Sequence, residues 1–234
     1  QNAIAAAKLP MSDDAAKRAT PPGELGTRPA GRASRMLASL SGHWGLALYA
    51  VVLMTAFNFF SHGTQDLYPD FLMTAHHVAA TTVSDLAVLY NLGAVLGAIV
   101  FGHFSERLGR RHSMMAALAL SLVVIPMWSF GGSVVVLATG AFLMQVGVQG
   151  AWGIIPAHLN ELSPDSVRGL LPGLAYQLGI LFAAPTNTIE YALRDLVGYR
   201  WAIAGFELAV ILIGGGIWLV NALVDARKSE VCFE

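Results

Sequence analysis

A single cysteine, Cys232, is all the thiol this 234-residue chain holds. One thiol closes no internal disulfide and builds no zinc site, so a disulfide scaffold and a cysteine-bound metal fold are excluded. Charge is scarce as well. Asp, Glu, Lys and Arg make up 12% of the residues, about half the share of an average soluble domain. The net charge of −1 offers no basic footprint for nucleic acid. Phosphate-cradling loops, metal-ligand clusters and nucleophile–base sets are missing, so neither an enzyme nor a cofactor is expected. Strict alternation of apolar and polar residues, the mark of membrane barrel strands, is missing too.

What is present is hydrophobicity, at 55% of residues and a mean hydropathy of +0.58. It is gathered into blocks long enough to cross a bilayer, which takes about 20 apolar residues per helix. Six spans are expected, at 44–68, 84–104, 113–130, 133–159, 169–192 and 201–224. The fold class is therefore an all-α integral membrane domain over residues 43–226. Gly131-Gly132 ends the third span, and the fifth carries Pro172 and Pro185.

Basic residues give the orientation. Lys8, Lys17, Arg18, Arg28, Arg32 and Arg35 precede the first span. Arg107, Arg110 and Arg111 lie between spans two and three, Arg168 between four and five, and Arg227 and Lys228 after six. Only Arg194 and Arg200 fall on the other side. Twelve against two assigns both termini to the cytoplasm, and an even number of spans requires the same. Residues 1–42 are rich in Ala, Pro, Gly and charge and read as a flexible cytoplasmic segment, with a short surface helix near Arg32 to Leu40 as a further expectation. Residues 227–234 form a cytoplasmic tail. The chain starts at Gln1 and shows no secretory signal; it is expected to be part of a longer protein.

The polar exception within the first apolar block carries most information. Asn58, His62 and Asp66 follow one another at i, i+4 and i+8, with Ser61 and Gln65 beside them. Ionisable groups at membrane depth are expensive and are kept mainly where they handle a substrate or an ion. This set offers a carboxylate, an imidazole, amides and hydroxyls, which suits anion binding with proton exchange. A structural His62–Asp66 pair near the outer helix end also fits, because Asn58 lies about 21 Å along the helix from Trp44.

Two loops are specific. Gly102-His103-Phe104-Ser105-Glu106-Arg107-Leu108-Gly109-Arg110-Arg111 joins spans two and three. It resembles the loop motif of the major facilitator superfamily, G-x-x-x-[DE]-R-x-G-R-[RK]. Gly102 would allow close helix contact and Gly109 a tight turn. After span four, Glu161-Leu162-Ser163-Pro164-Asp165-Ser166-Val167-Arg168-Gly169 resembles that family's E-x-x-P-x-x-x-R-G element. The resemblance implies one ion-pair cluster of Glu106, Arg107, Arg110, Arg111, Glu161 and Arg168, which latches one state and gates the other.

Within the superfamily, Asn58, Ser61, His62, Thr64, Gln65 and Asp66 resemble N-x-x-[ST]-H-x-[ST]-Q-D-x-x-x-T, found in span seven of Jen-type lactate/pyruvate permeases and sialate:proton symporters. Asp70 stands where the pattern has Thr. The resemblance covers residues 44–224. It implies that the chain is the second half of a twelve-span plasma-membrane transporter moving a small organic anion with protons. Asn58, Ser61, His62, Thr64, Gln65 and Gln177 would bind substrate, and His62 with Asp66 would exchange the proton. The partners implied are the anion, protons, lipid, and a first six-helix half or a second copy of the chain. A sugar, amino-acid or drug porter of the same superfamily, or an inactive half-transporter acting as a scaffold, remains open.

Other polar groups are less defined. Gln145 and Gln149, four apart on span four, fit either a cavity or a helix–helix hydrogen bond. Glu190 is placed to pair with Arg194, and Glu207 lies deep in span six as a minor proton-site candidate.

Overall fold

The computed structural model describes Leu40 and residues 42–231, with side chains up to residue 220. Every element among the described residues is helical: α1 (Trp44–Gln65), α2 (Tyr68–Ala75), α3 (Ala80–Leu108), α4 (Arg110–Phe130), α5 (Val134–Leu162), α6 (Leu171–Ala183), α7 (Thr186–Val197) and α8 (Tyr199–Val231). Five stretches are long and apolar enough to cross a membrane: Trp44–Ala75, Ala80–Leu108, Arg110–Phe130, Val134–Leu162 and Tyr199–Val220. The expectation of flexibility for residues 1–42 and of a surface helix near Arg32 to Leu40 lies almost wholly outside the described residues, as does much of the 227–234 tail.

The expected fifth span, 169–192, differs from a single helix. It is divided into α6 and α7 at Ala184-Pro185. Pro185 has no N–H to give to Leu181 and its ring crowds that carbonyl. The Ala184 N–H instead makes a strained 3.4 Å bond to the Leu181 carbonyl, and α7 restarts with the Ile189 N–H on the Pro185 carbonyl. The first span is interrupted in the same way. Pro69, in the first turn of α2, cannot donate to the Gln65 carbonyl, so α1 ends there and the axis resets through Asp66-Leu67.

Tight joints come from two glycines. Gly109 (φ 85°) and Gly198 (φ 83°) adopt left-handed backbone that a side chain would strain, so α3 meets α4 and α7 meets α8 with no loop. Ser133 caps α5 by accepting a hydrogen bond from the Val136 N–H at 3.3 Å.

The helices pack as two groups. In one, α5 lies against α3 and α4; in the other, α1 lies against α6 and α8, with α7 on α8. Contacts of α4 with α8 and of α1 with α5 join them. Small residues set the closest approach. Gly93 and Gly97 of α3 lie directly against the backbone of Phe142 and Val146 on α5, as expected where apolar solvent gives helices no hydrophobic drive to associate. Gly102, by contrast, has only the Gly153 carbonyl oxygen near its missing side chain, at 4.0 Å. The tightest approach of α3 is thus at Gly93 and Gly97, and the contact at Gly102 is looser. At the other end, Tyr68 stacks on Trp128 with ring centroids 5.1 Å apart. Its hydroxyl lies 3.1 Å from the carbonyls of both Trp128 and Leu137, tying α2 to α4 and α5.

Candidate functional site: a polar seam between two helices

The residues singled out on α1 divide between three directions. Asn58 is buried against α6: its Nδ2 donates to the Met54 carbonyl at 2.8 Å and stands 3.0 Å from where a Gly179 side chain would begin. Ser61, Thr64 and Gln65 turn toward α5. There Gln145, 2% exposed, bridges two of them. Its Nε2 donates to the Thr64 hydroxyl at 3.2 Å, and its Oε1 accepts from Gln65 Nε2 at 3.2 Å. Ser61 Oγ accepts from Gln65 Nε2 at 3.2 Å and from Gln149 Nε2 at 3.3 Å. This seam is the main polar contact between the two helix groups. The two α5 glutamines complete a set of which the sequence motif on α1 shows only one wall.

His62 and Asp66 face a third way. Nδ1 of His62 is 3.0 Å from Oδ2 of Asp66, and the side chains are 44% and 33% exposed. They are a surface pair of this six-span body, next to the seam and not inside it. Gln177 is exposed on α6. Its neighbour Tyr176 meets Trp152 edge to face at 5.8 Å. Both rings line a cleft of about 280 Å³ between α5 and α6, which touch little. Gln177 is therefore not brought to Ser61 or Gln65. A second groove, about 390 Å³, opens between α1, α6 and α8 and is lined by Leu48, Val52, Phe59, Phe182 and Ile213. Its one hydroxyl, on Thr55, is already given to the Val51 carbonyl, so it offers a charged ligand nothing.

The implied ion-pair cluster divides as well. Arg110 holds Glu161 through Nε and Nη2 at 3.1 and 3.0 Å and so joins α4 to α5. Arg168 pairs with Asp165 at 2.7 Å and donates to the Ser163 carbonyl, which stabilises the loop after α5 from within. Glu106, Arg107 and Arg111 enter no ion pair among the described residues. The reason is geometric: Gly109 turns the chain so that Arg110, not its neighbours, faces α5.

At the opposite end, Asp70 accepts hydrogen bonds from Tyr199 at 2.6 Å and Thr74 at 3.0 Å. Arg194 donates to the Tyr199 hydroxyl at 3.1 Å and pairs with Asp195 at 2.7 Å. Arg194 is therefore not the partner of Glu190 that the i, i+4 spacing suggests. Glu190 and Glu207 are both 0% exposed. His76, in the turn after α2, packs edge to face on Phe71 at 4.9 Å. Burial, with the Arg200 charge nearby, holds its imidazole below the usual range.

Five apolar spans with a sixth divided at Pro185, a helix-to-helix amide seam and a charged joint at Gly109 fit a multi-pass membrane protein of the transporter class. Residues 37–222 match the family model described as "Sugar (and other) transporter". The chain belongs to that family, within the major facilitator superfamily, and is a transport protein rather than an enzyme. A carboxylic acid transporter protein homolog of Saccharomyces cerevisiae is 36% identical over 161 residues, covering 68% of this chain and 26% of the relative. A probable polyol transporter 3 of Arabidopsis thaliana is 28% identical over 201 residues, covering 80% and 39%. A glucose transporter GlcP of Staphylococcus epidermidis is 28% identical, covering 59% and 32%. The chain thus spans well under half the length of these relatives. Among solved structures it is similar to the POT family transporter PepTSo, with a TM-score of 0.64 at 14% identity over 76% of this chain and 37% of that one. That likeness is one of fold. The five apolar stretches, with α6–α7 as the divided remaining span, fit one half of a major facilitator fold.

Proposed function

We propose that the chain forms the carboxy-terminal half of a proton-coupled symporter for a small carboxylate, a monocarboxylate such as lactate or pyruvate, or sialic acid. The observation that carries the reading is the Ser61–Thr64–Gln65–Gln145–Gln149 seam beside the His62–Asp66 pair. Amides and hydroxyls can bind carboxylate and hydroxyl oxygens. An imidazole can hold or give up a proton, so it can meet an anion while protonated and release it when neutral. Asp66 fixes the ring and takes part in the exchange. The exposure of His62, Asp66 and Gln177 suits a wall completed by a first six-helix half, or by a second copy, with substrate held between the halves as in alternating access. The similarity to a relative named as a carboxylic acid transporter homolog supports the substrate class.

In this reading the termini, residues 1–42 and 227–234, are cytoplasmic and the membrane is the plasma membrane. The Arg110–Glu161 pair, with Glu106, Arg107, Arg111 and Arg168 around it, biases the gate. Exposed pairs count little singly, so its role is to tilt a balance between states rather than to hold one outright. A second reading, a porter for neutral sugars or polyols, is favoured by the relatives named for those substrates. The two are separated by uptake of labelled lactate, pyruvate, sialic acid and glucose through the transporter containing this chain. Carboxylate uptake lost on His62→Ala supports the first reading. Glucose uptake indifferent to that change supports the second and sinks the first.

A further inference from the structure

Glu190 on α7 and Glu207 on α8 are fully enclosed, and none of their four carboxyl oxygens has a hydrogen-bond partner among the described residues. Glu207 packs against the bare Cα of Gly63: its Oε2 stands 3.0 Å from where a side chain there would begin. Gly63 directly follows His62, so Glu207 lies behind the His62–Asp66 pair. Helix α7 packs on α8 and touches α1, so Glu190, Glu207 and Asp66 belong to neighbouring helices.

Other titratable groups on the helices around these acids are Tyr49 and His62 on α1, Tyr68 and Asp70 on α2, Tyr90 on α3, Tyr191, Arg194 and Asp195 on α7, and Tyr199 and Arg200 near the start of α8. Helix α4 carries nothing titratable beyond Arg110, Arg111 and His112 at its first turn. Arg194 is engaged by Asp195 and Tyr199. Among the described residues no cation forms an ion pair with either glutamate. An isolated buried carboxylate costs so much that the group keeps its proton instead.

We propose that Glu190 and Glu207 are a second proton-holding site, which keeps two carboxyl protons in reserve behind the His62–Asp66 pair. While the helices are packed, each proton stays on its carboxyl. When α7 and α8 shift from α1 and water enters, each O–H breaks to give a carboxylate and hydronium, and it forms again from hydronium when the helices close. The part this plays in transport rests on the proposed proton coupling; the presence of the protons does not.

The test is infrared spectroscopy of the full chain in lipid nanodiscs at neutral pH. The unaltered protein should show a protonated-carboxyl C=O band that exchanges slowly in deuterated water. Glu207→Gln and Glu190→Gln, which keep the side-chain volume, should each remove about one carboxyl equivalent from it, and Asp66→Asn should move the pH at which the Glu190 part disappears. Labelling by the apolar reagent dicyclohexylcarbodiimide, located by mass spectrometry, provides a check that needs no variant: both glutamates should be modified. Absence of the band and of labelling in the unaltered chain overturns the proposal. So does a band that survives both glutamine substitutions. The band with carboxylate uptake indifferent to His62→Ala would leave this site standing and remove the transport reading.

Discussion

Replacing Gly97 by Ala should loosen α3 from α5, and the structure gives both the size and a control. A side chain at Gly97 would start on top of the Val146 carbonyl oxygen, with Val146 Cα at 2.7 Å and its carbonyl carbon at 2.8 Å. Carbon contacts settle at about 3.5–4.0 Å, so the helices must part by roughly an ångström. Overpacking of this kind costs about 1–3 kcal/mol. Gly102 lies on the same helix, and its added methyl would meet only the Gly153 carbonyl oxygen at 4.0 Å. Both substitutions gain the same helix propensity, roughly 0.5–1 kcal/mol. Subtracting one from the other cancels that gain and leaves the clash. Gly97→Ala should therefore be less stable than Gly102→Ala by about 1–3 kcal/mol, roughly 5- to 150-fold in the folded-to-unfolded ratio. Titration of lipid-detergent micelles with SDS, followed by tryptophan fluorescence, measures the difference. Equal midpoints for the two variants would refute the reasoning, since the clash with α5 is what sets Gly97 apart.

Three further outcomes follow from single contacts. Gln145→Leu removes both interhelical bonds to Thr64 and Gln65; at about 0.6 kcal/mol each in a membrane, the same titration should register about 1 kcal/mol. Tyr199→Phe removes the donor to Asp70 and the acceptor for Arg194, and should cost about 1 kcal/mol and speed proteolysis around the α7–α8 joint. In the folded chain burial holds the His76 imidazole below its ordinary range, so the imidazole of the unfolded chain takes up a proton first as acidity rises. Stability should be level above the ordinary imidazole value of about 6.5 and fall as pH drops through it. His76→Phe should flatten that fall in melting temperature, and an unchanged slope would count against the assignment.

Much of the helical framework was legible in the sequence because its cause is local. The blocks from Leu86, Met114, Val134 and Trp201 are apolar throughout, and nothing but a helix satisfies their backbone in lipid. The observed helices outrun the blocks, as in Ala80–Leu108 against 84–104, because a helix continues past the apolar zone until a capping residue or Gly stops it. Pro185 was visible, yet its consequence, two helices instead of one, depends on how the freed Leu181 carbonyl is satisfied, here by the Ala184 N–H. Pro69 acts in the same way on α1. The resemblance on the two loops led correctly to the family.

The site was less legible. Ser61 and Gln65 find their partners 88 and 80 positions away, on Gln149 and Gln145, and no spacing on α1 can reveal that. The i, i+4 rule placed Glu190 with Arg194, but that rule describes a solvated face, and Glu190 faces inward. Asn58 shares the stripe of His62 and Asp66 on paper. The 40° drift per four residues turns it to α6 in three dimensions.

The measurement that bears most directly on the account is proton-driven accumulation of labelled lactate in proteoliposomes holding the transporter that contains this chain. With an inward proton gradient, lactate should rise above equilibrium, and the rise should vanish when the gradient is collapsed and when His62 is replaced by Ala. Lactate accumulation that ignores both the gradient and the His62→Ala change would contradict it.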